Sequence, residues 1–155
     1  MKTLLRHLLI TVTAFATLSL ANPASAQDKA ATGTAAEAKA MLEKAVAALK
    51  ADKAKALESF NAGTDGFKDR DLYVFTANAS DGVFTAHPKL KGQKLSELKD
   101  KTGRAFGEEI MKAAQEGKIN EVSYMFPKPG GETPEPKVAY VAKVGDQVVA
   151  VGYYK

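Results

Sequence analysis

The chain has 155 residues, with 22 basic and 18 acidic side chains, a formal charge of +4 and no cysteine. Charge this close to balance argues against a nucleic-acid binder, which needs a clustered basic stripe. The missing cysteine excludes disulfides, a lipid-anchored lipoprotein and thiol chemistry, so an exported form would be held by its core alone.

Lys2, Arg6 and His7 precede an apolar run over residues 8–20, and Ala24-Ser25-Ala26 follows. This is the three-part pattern of a secretory signal peptide, with Gln27 beginning the mature protein. The run is shorter than the ~20 residues a membrane-spanning helix needs. The expectation is therefore a periplasmic or secreted protein with no membrane span after cleavage. The other reading of the same residues is an uncleaved anchor. Residues 1–26 form the signal peptide, 27–33 a flexible leader and 34–155 a single domain.

Thr34 with Glu37 three residues on has capping-box spacing. Met41, Leu42, Ala45, Val46 and Leu49 then recur at helical spacing, and Ala56, Leu57 and Phe60 continue the stripe. This reads as one long helix, or two with a bend near Asp52. Residues 61–70 read as a loop.

Residues 71–88 read as a β-hairpin. Tyr73, Val74, Phe75 and Thr76 suit a pleated surface, and 78–82 supply turn residues. Val83, Phe84 and Thr85 begin the return strand, and Pro88 stops it. Phe75 and Phe84 are expected to meet in the core. Leu95 and Leu98 suggest a short helix capped by Ser96. Ala105, Phe106, Ile110, Met111 and Ala114 fit another, ended near Gly117. Three strands follow, over 119–126, 138–143 and 147–154, with 127–136 as a Pro/Gly loop outside any strand. Strands joined by short turns pair antiparallel, so the class is α+β.

No catalytic motif is present. Asp71 and His87 could pair, but no serine stands in a nucleophile elbow. One histidine beyond the N-terminus cannot build a multi-histidine metal site. What remains is a set of aromatic and cationic groups near strand ends: Tyr73, Phe75, His87, Lys89, Tyr124, Phe126, Lys137 and Tyr140. Such groups can bind a small carboxylate or simply fill a core.

Asp71-Leu-Tyr-Val-Phe, Asp81-Gly-Val-Phe-Thr-Ala-His-Pro, Leu98-Lys-Asp-Lys-Thr-Gly103, Tyr124-Met-Phe-Pro-Lys-Pro, Pro136-Lys-Val-Ala-Tyr140 and Val151-Gly-Tyr-Tyr, in this order, resemble a single Cache domain of the second type. These are extracytoplasmic sensor domains of bacterial chemoreceptors and histidine kinases. The resemblance implies a PAS-like fold with a long N-terminal helix on a five-stranded antiparallel sheet, and no cofactor. It implies a pocket for a short organic acid at Tyr73, Phe75, His87, Tyr124, Phe126, Lys137 and Tyr140. It also implies a non-enzymatic role in signal transduction through a membrane receptor or histidine kinase partner. A receptor would continue into a membrane helix and an output domain, so a sequence stopping at Lys155 sets the expectation of a stand-alone exported form. A ligand-free protein-interaction module of the same fold is the alternative. The chain lacks the tryptophans common in the family. Strict alternation puts Lys137 and Tyr140 on opposite faces of a strand, so both meet one pocket only if a bulge intervenes or Lys137 lies in the loop.

Overall fold

A computed structural model describes residues 32–155. The expected signal peptide and most of the leader lie outside the described residues. Helix α1 (Ala35–Ala51) starts at the expected capping box. Thr34 Oγ1 accepts from the Glu37 amide at 3.2 Å, and Glu37 Oε2 accepts from the Thr34 amide at 2.8 Å. Asp52 ends α1 and starts α2 (Lys53–Ala62): its extended backbone breaks the helix, and its carboxylate accepts from the Lys55 amide. The bend is thus a shared cap, the second of the two forms the periodicity allowed.

After α2 come β1 (Lys68–Asp69), β2 (Leu72–Asn78) and β3 (Phe84–Ala86). A 3-10 turn (Leu95–Glu97), α3 (Phe106–Ala113), β4 (Asn120–Pro127), β5 (Pro134–Val144) and β6 (Gln147–Tyr154) complete the chain. The antiparallel sheet runs β1-β2-β6-β5-β4, with β3 paired to β2 as well. The expected five-stranded sheet is therefore six-stranded, because a two-residue strand forms where a loop was expected.

Three local expectations are corrected. Ser96 caps nothing: it lies inside the 3-10 turn, whose N-cap Lys94 makes no side-chain capping bond. The third helix ends at Ala113, short of Gly117. The Pro/Gly segment is shorter than expected, since β4 runs to Pro127 and β5 begins at Pro134, the two residues paired. Prolines fit there because β6 stops pairing at Lys137↔Tyr154, so the amides that Pro134 and Pro136 lack would face no strand. The Pro136 carbonyl still accepts from the Lys155 amide at 3.0 Å.

The sheet separates two cores. On one face α1 and α2 bury Leu42, Ala45 and Phe60 against Leu72, Val74, Val149 and Val151. On the other, α3 and the 3-10 turn cover Tyr73, Phe75, Val122, Tyr124, Ala139, Val141 and Ala150. Because β2 is covered on both faces, all its residues but the last are buried. The hairpin brings Phe75 and Phe84 edge to face, 6.2 Å between ring centroids, both buried.

Candidate functional site

The site is built where β2, β4, β5 and β6 face α3. Tyr124, Lys137 and Tyr154 stand directly opposite one another across β4, β5 and β6. Lys137 does not point straight out from the sheet. Its stem crosses Gly152, where a Cβ would fall 2.3 Å from Lys137 Cε. Glycine is needed there to let the long side chain lie along the sheet. The ammonium thereby reaches the Tyr73 hydroxyl, to which Nζ donates at 2.9 Å.

Three aromatic faces enclose that ammonium: Tyr73 at 4.3 Å, Tyr154 at 4.8 Å and Phe126 at 5.2 Å from Nζ to the ring centroid. Cation–π attraction offsets part of the lost hydration. Lys137 is only 1 % exposed, and burial pushes its pKa down to about 7, with the Asp71 charge opposing the fall. No carboxylate among the described residues makes an ion pair with it. The Tyr73 and Tyr154 hydroxyls are pushed far up by burial and stay protonated; Tyr154 donates to the Pro127 carbonyl at 2.7 Å.

Above the cage lies a cleft of about 180 Å³ between the end of the hairpin and the start of the Pro-rich loop. Its walls are Tyr73, His87, Pro88, Leu90, Phe126 and Pro127, with Lys89, Lys128 and Pro129 at the loops. Lys128 is paired with Glu135 at 2.7 Å. Tyr73 and Phe126 belong to both cleft and cage, so they separate the open space from the ammonium.

His87, 8 % exposed, closes one side. Its Nδ1 accepts from the amides of Lys89 and Leu90 at 3.0 and 3.1 Å, which places the proton on Nε2. Asp71 is engaged elsewhere, by the Gly33 amide at 2.6 Å, so the Asp71–His87 pair suggested by the sequence does not form. Burial first, then the Lys137 and Lys89 charges, depress the His87 pKa to about 3. A depressed histidine favours the fold fully above its unfolded value near 6.5, and this contribution is lost as pH falls towards about 3. An NMR titration is expected to find the His87 ring in its neutral form throughout pH 5.5 to 8. A midpoint near 6.5 would show that the ring is solvated and the two amide bonds broken.

The sequence candidates thus divide by depth. Tyr73, His87 and Phe126 line the cleft. Phe75 and Tyr124 lie deeper, around a void of about 10 Å³, with Tyr124 stacked flat on Phe106 at 4.4 Å. Lys137 lies behind the wall. Tyr140 is not brought to the site: β5 is regular, so alternation sends Tyr140 to the α1 face, stacked on Tyr153 at 5.8 Å. Sequence reasoning missed Tyr154 and Gly152 as members. Val151-Gly-Tyr-Tyr was noticed, but only the β5–β6 register shows that its glycine underlies Lys137.

The arrangement gives a variant to test. Gly152→Ala is expected to force the ammonium from its cage, with an overpacking cost of about 1–3 kcal/mol. Chemical denaturation measures the loss. A fully stable variant would mean that the lysine stem does not lie on Gly152.

Among the described residues no helix is long and apolar enough to cross a membrane. Methyl-accepting chemotaxis protein McpP of Pseudomonas putida is 38% identical over 56 residues, covering 36% of this chain and 10% of that protein. The chain thus matches about a tenth of that relative's length. A methyl-accepting chemotaxis protein from Vibrio parahaemolyticus has a solved structure with TM-score 0.63 at 28% identity, covering 77% of this chain and 86% of that one. A periplasmic sensor domain of a chemotaxis protein gives 0.57 at 26%, with 75% and 86% covered. A Cache chemosensory domain, solved for its carboxylic acid recognition, gives 0.56 at 24%, with 75% and 84% covered, a likeness of fold alone. The family profile described as single Cache domain 2 matches residues 8–154. Both that span and the helix-covered antiparallel sheet place this chain in the single Cache domain 2 family of sensor domains.

Proposed function

We propose that this chain is an exported, non-enzymatic sensory domain that binds a short organic acid and signals through a partner such as a membrane receptor or histidine kinase. The observation that carries this reading is the buried Lys137 ammonium with no ion-paired carboxylate beside a small apolar cleft. A charge taken out of water costs several kcal/mol unless it is paired. A ligand carboxylate entering past Tyr73 and Phe126 would supply the missing partner, and the cleft walls would cover a short carbon tail. The cleft is smaller than the roughly 300–1,000 Å³ of sites for drug-sized ligands, which suits an acid of two to four carbons.

A second reading is a ligand-free interaction module. It is favoured by the inner void of about 10 Å³, which the domain's own rings leave nearly filled. One experiment separates the two. The melting temperature is followed with formate, acetate, propionate, butyrate and succinate at millimolar concentration and pH 6.5. Binding to the folded state alone raises apparent stability with ligand concentration. A concentration-dependent rise for one or more acids is expected. No rise with any of them would remove the acid-sensor reading and leave the self-filled module.

A further inference from the structure

The open cleft and the inner void adjoin. Four described residues line both: Tyr73, His87, Leu90 and Phe126. Three of them are rings held among other rings. His87 meets Phe84 at 4.9 Å and Tyr73 at 5.3 Å between centroids, and Phe126 meets Phe106 at 6.0 Å. Tyr73 is fixed further by the hydrogen bond from Lys137. Leu90 is the one aliphatic side chain of the four, half-buried against the α3-side core.

The main chain of Leu90 has a task of its own. Its amide donates to His87 Nδ1 at 3.1 Å, and its carbonyl accepts from the Gln93 amide at 2.9 Å, closing a turn after Pro88. These bonds fix where the Cβ stands and do not depend on what it carries. The isobutyl group beyond it stands between a space of about 180 Å³ and one of about 10 Å³. The inner space is walled by Phe84, Leu95, Phe106 and Ile110, all buried, and so suits carbon rather than charge. A leucine side chain turns about two single bonds without breaking a hydrogen bond. Moving any of the three rings disturbs several contacts at once.

We propose that the Leu90 side chain is the partition between cleft and void, and that it sets the longest carbon tail the site accepts. The proposal rests on the acid-binding reading and adds the residue that selects among acids. With the ligand carboxylate held at Lys137, its tail lies among the shared walls. Leu90 then governs whether that tail stops at the cleft or continues inward. Its substitution changes the order of affinities among acids and leaves anion recognition in place.

The test is calorimetric titration of the full chain and two variants with acetate, propionate, butyrate and valerate. Moving one methylene from water into an apolar space is worth a roughly fourfold gain in affinity. Wild-type affinity should rise along the series up to the acid that fills the cleft and fall beyond it. Leu90→Ala joins the void to the cleft. The preferred acid should then be longer by one or two carbons, and the valerate-to-propionate affinity ratio should rise roughly four- to sixteenfold. Leu90→Phe thickens the partition, and the same ratio should fall by at least about fourfold. Both variants keep the main-chain bond to His87. General damage to the fold weakens every acid alike, so the ratio separates selection from a merely structural role. If Leu90→Ala does not fold, Leu90→Phe decides by the same ratio. An unchanged order of affinities overturns the proposal and leaves the acid-sensor reading standing. If no acid binds the wild type or either variant, the acid-sensor reading fails and this proposal falls with it.

Discussion

Phe75→Ala is expected to destabilise the domain by about 3–5 kcal/mol, the range for a fully buried phenylalanine whose neighbours relax only partly. Phe75 is 3 % exposed and sits mid-strand in β2, between β6 and β3. Its ring meets Phe84 at 6.2 Å, Tyr73 at 6.3 Å and His87 at 6.0 Å between centroids. The cross-strand neighbour on β6 is Ala150, too small to fill the space left behind. Urea denaturation of the two proteins side by side gives the difference. A loss under about 1 kcal/mol would place the ring near the surface and undo the β2 assignment. The loss should carry over to the site, because Phe75 supports the His87 ring that walls the cleft.

Local signals made much of this fold legible in the sequence. The capping box at Thr34 and Glu37 is read from two residues three apart, and the 71–88 hairpin from aromatic runs around an Asn/Asp/Gly turn. Both need nothing beyond their own neighbours. Asp52 left two options, because one residue that ends a helix and caps the next looks like an ordinary polar position in a continuous stripe. The prolines misled for a tertiary reason: Pro134 and Pro136 are tolerated because β6 ends at Tyr154, and Pro127 because β4 is an edge strand, neither of which a local pattern reveals. The site divides in the same way. Tyr73, His87 and Phe126 stand at recognisable strand ends. Tyr140 matched the family spacing yet went to the α1 face, because β5 carries no bulge to bring it round. The role of Gly152 depends on the β5–β6 register and on a side chain lying along the sheet, and neither leaves a mark in sequence periodicity.

The proposed acid site would explain why a domain retains an ammonium where an apolar residue can be as stable or more so. Replacing a buried ionic group by a well-packed apolar one is often neutral or stabilising. On the proposed reading, a charge kept at that cost, with its hydrogen bond given to a tyrosine and its faces to three rings, would await a ligand anion.

Lys137→Met is therefore expected to separate binding from stability. Methionine keeps most of the stem across Gly152 and removes the charge. An ammonium–carboxylate contact in a dry pocket contributes about 1.5–3 kcal/mol as a charge-assisted hydrogen bond. Its loss should weaken acid binding by roughly ten- to a hundredfold. The same substitution removes a group whose ionised form burial disfavours, as its pKa near 7 records. The melting temperature at pH 6.5 should then be equal to the wild type or higher, even though the Tyr73 hydroxyl loses the donor at 2.9 Å. Calorimetric titration with propionate and a thermal scan on the same preparation read both quantities. Unchanged affinity would remove Lys137 as the anion anchor and favour the self-filled module. Weakened binding with a sharply lowered melting temperature would mean that the ammonium holds the cage together, and its role would then be structural.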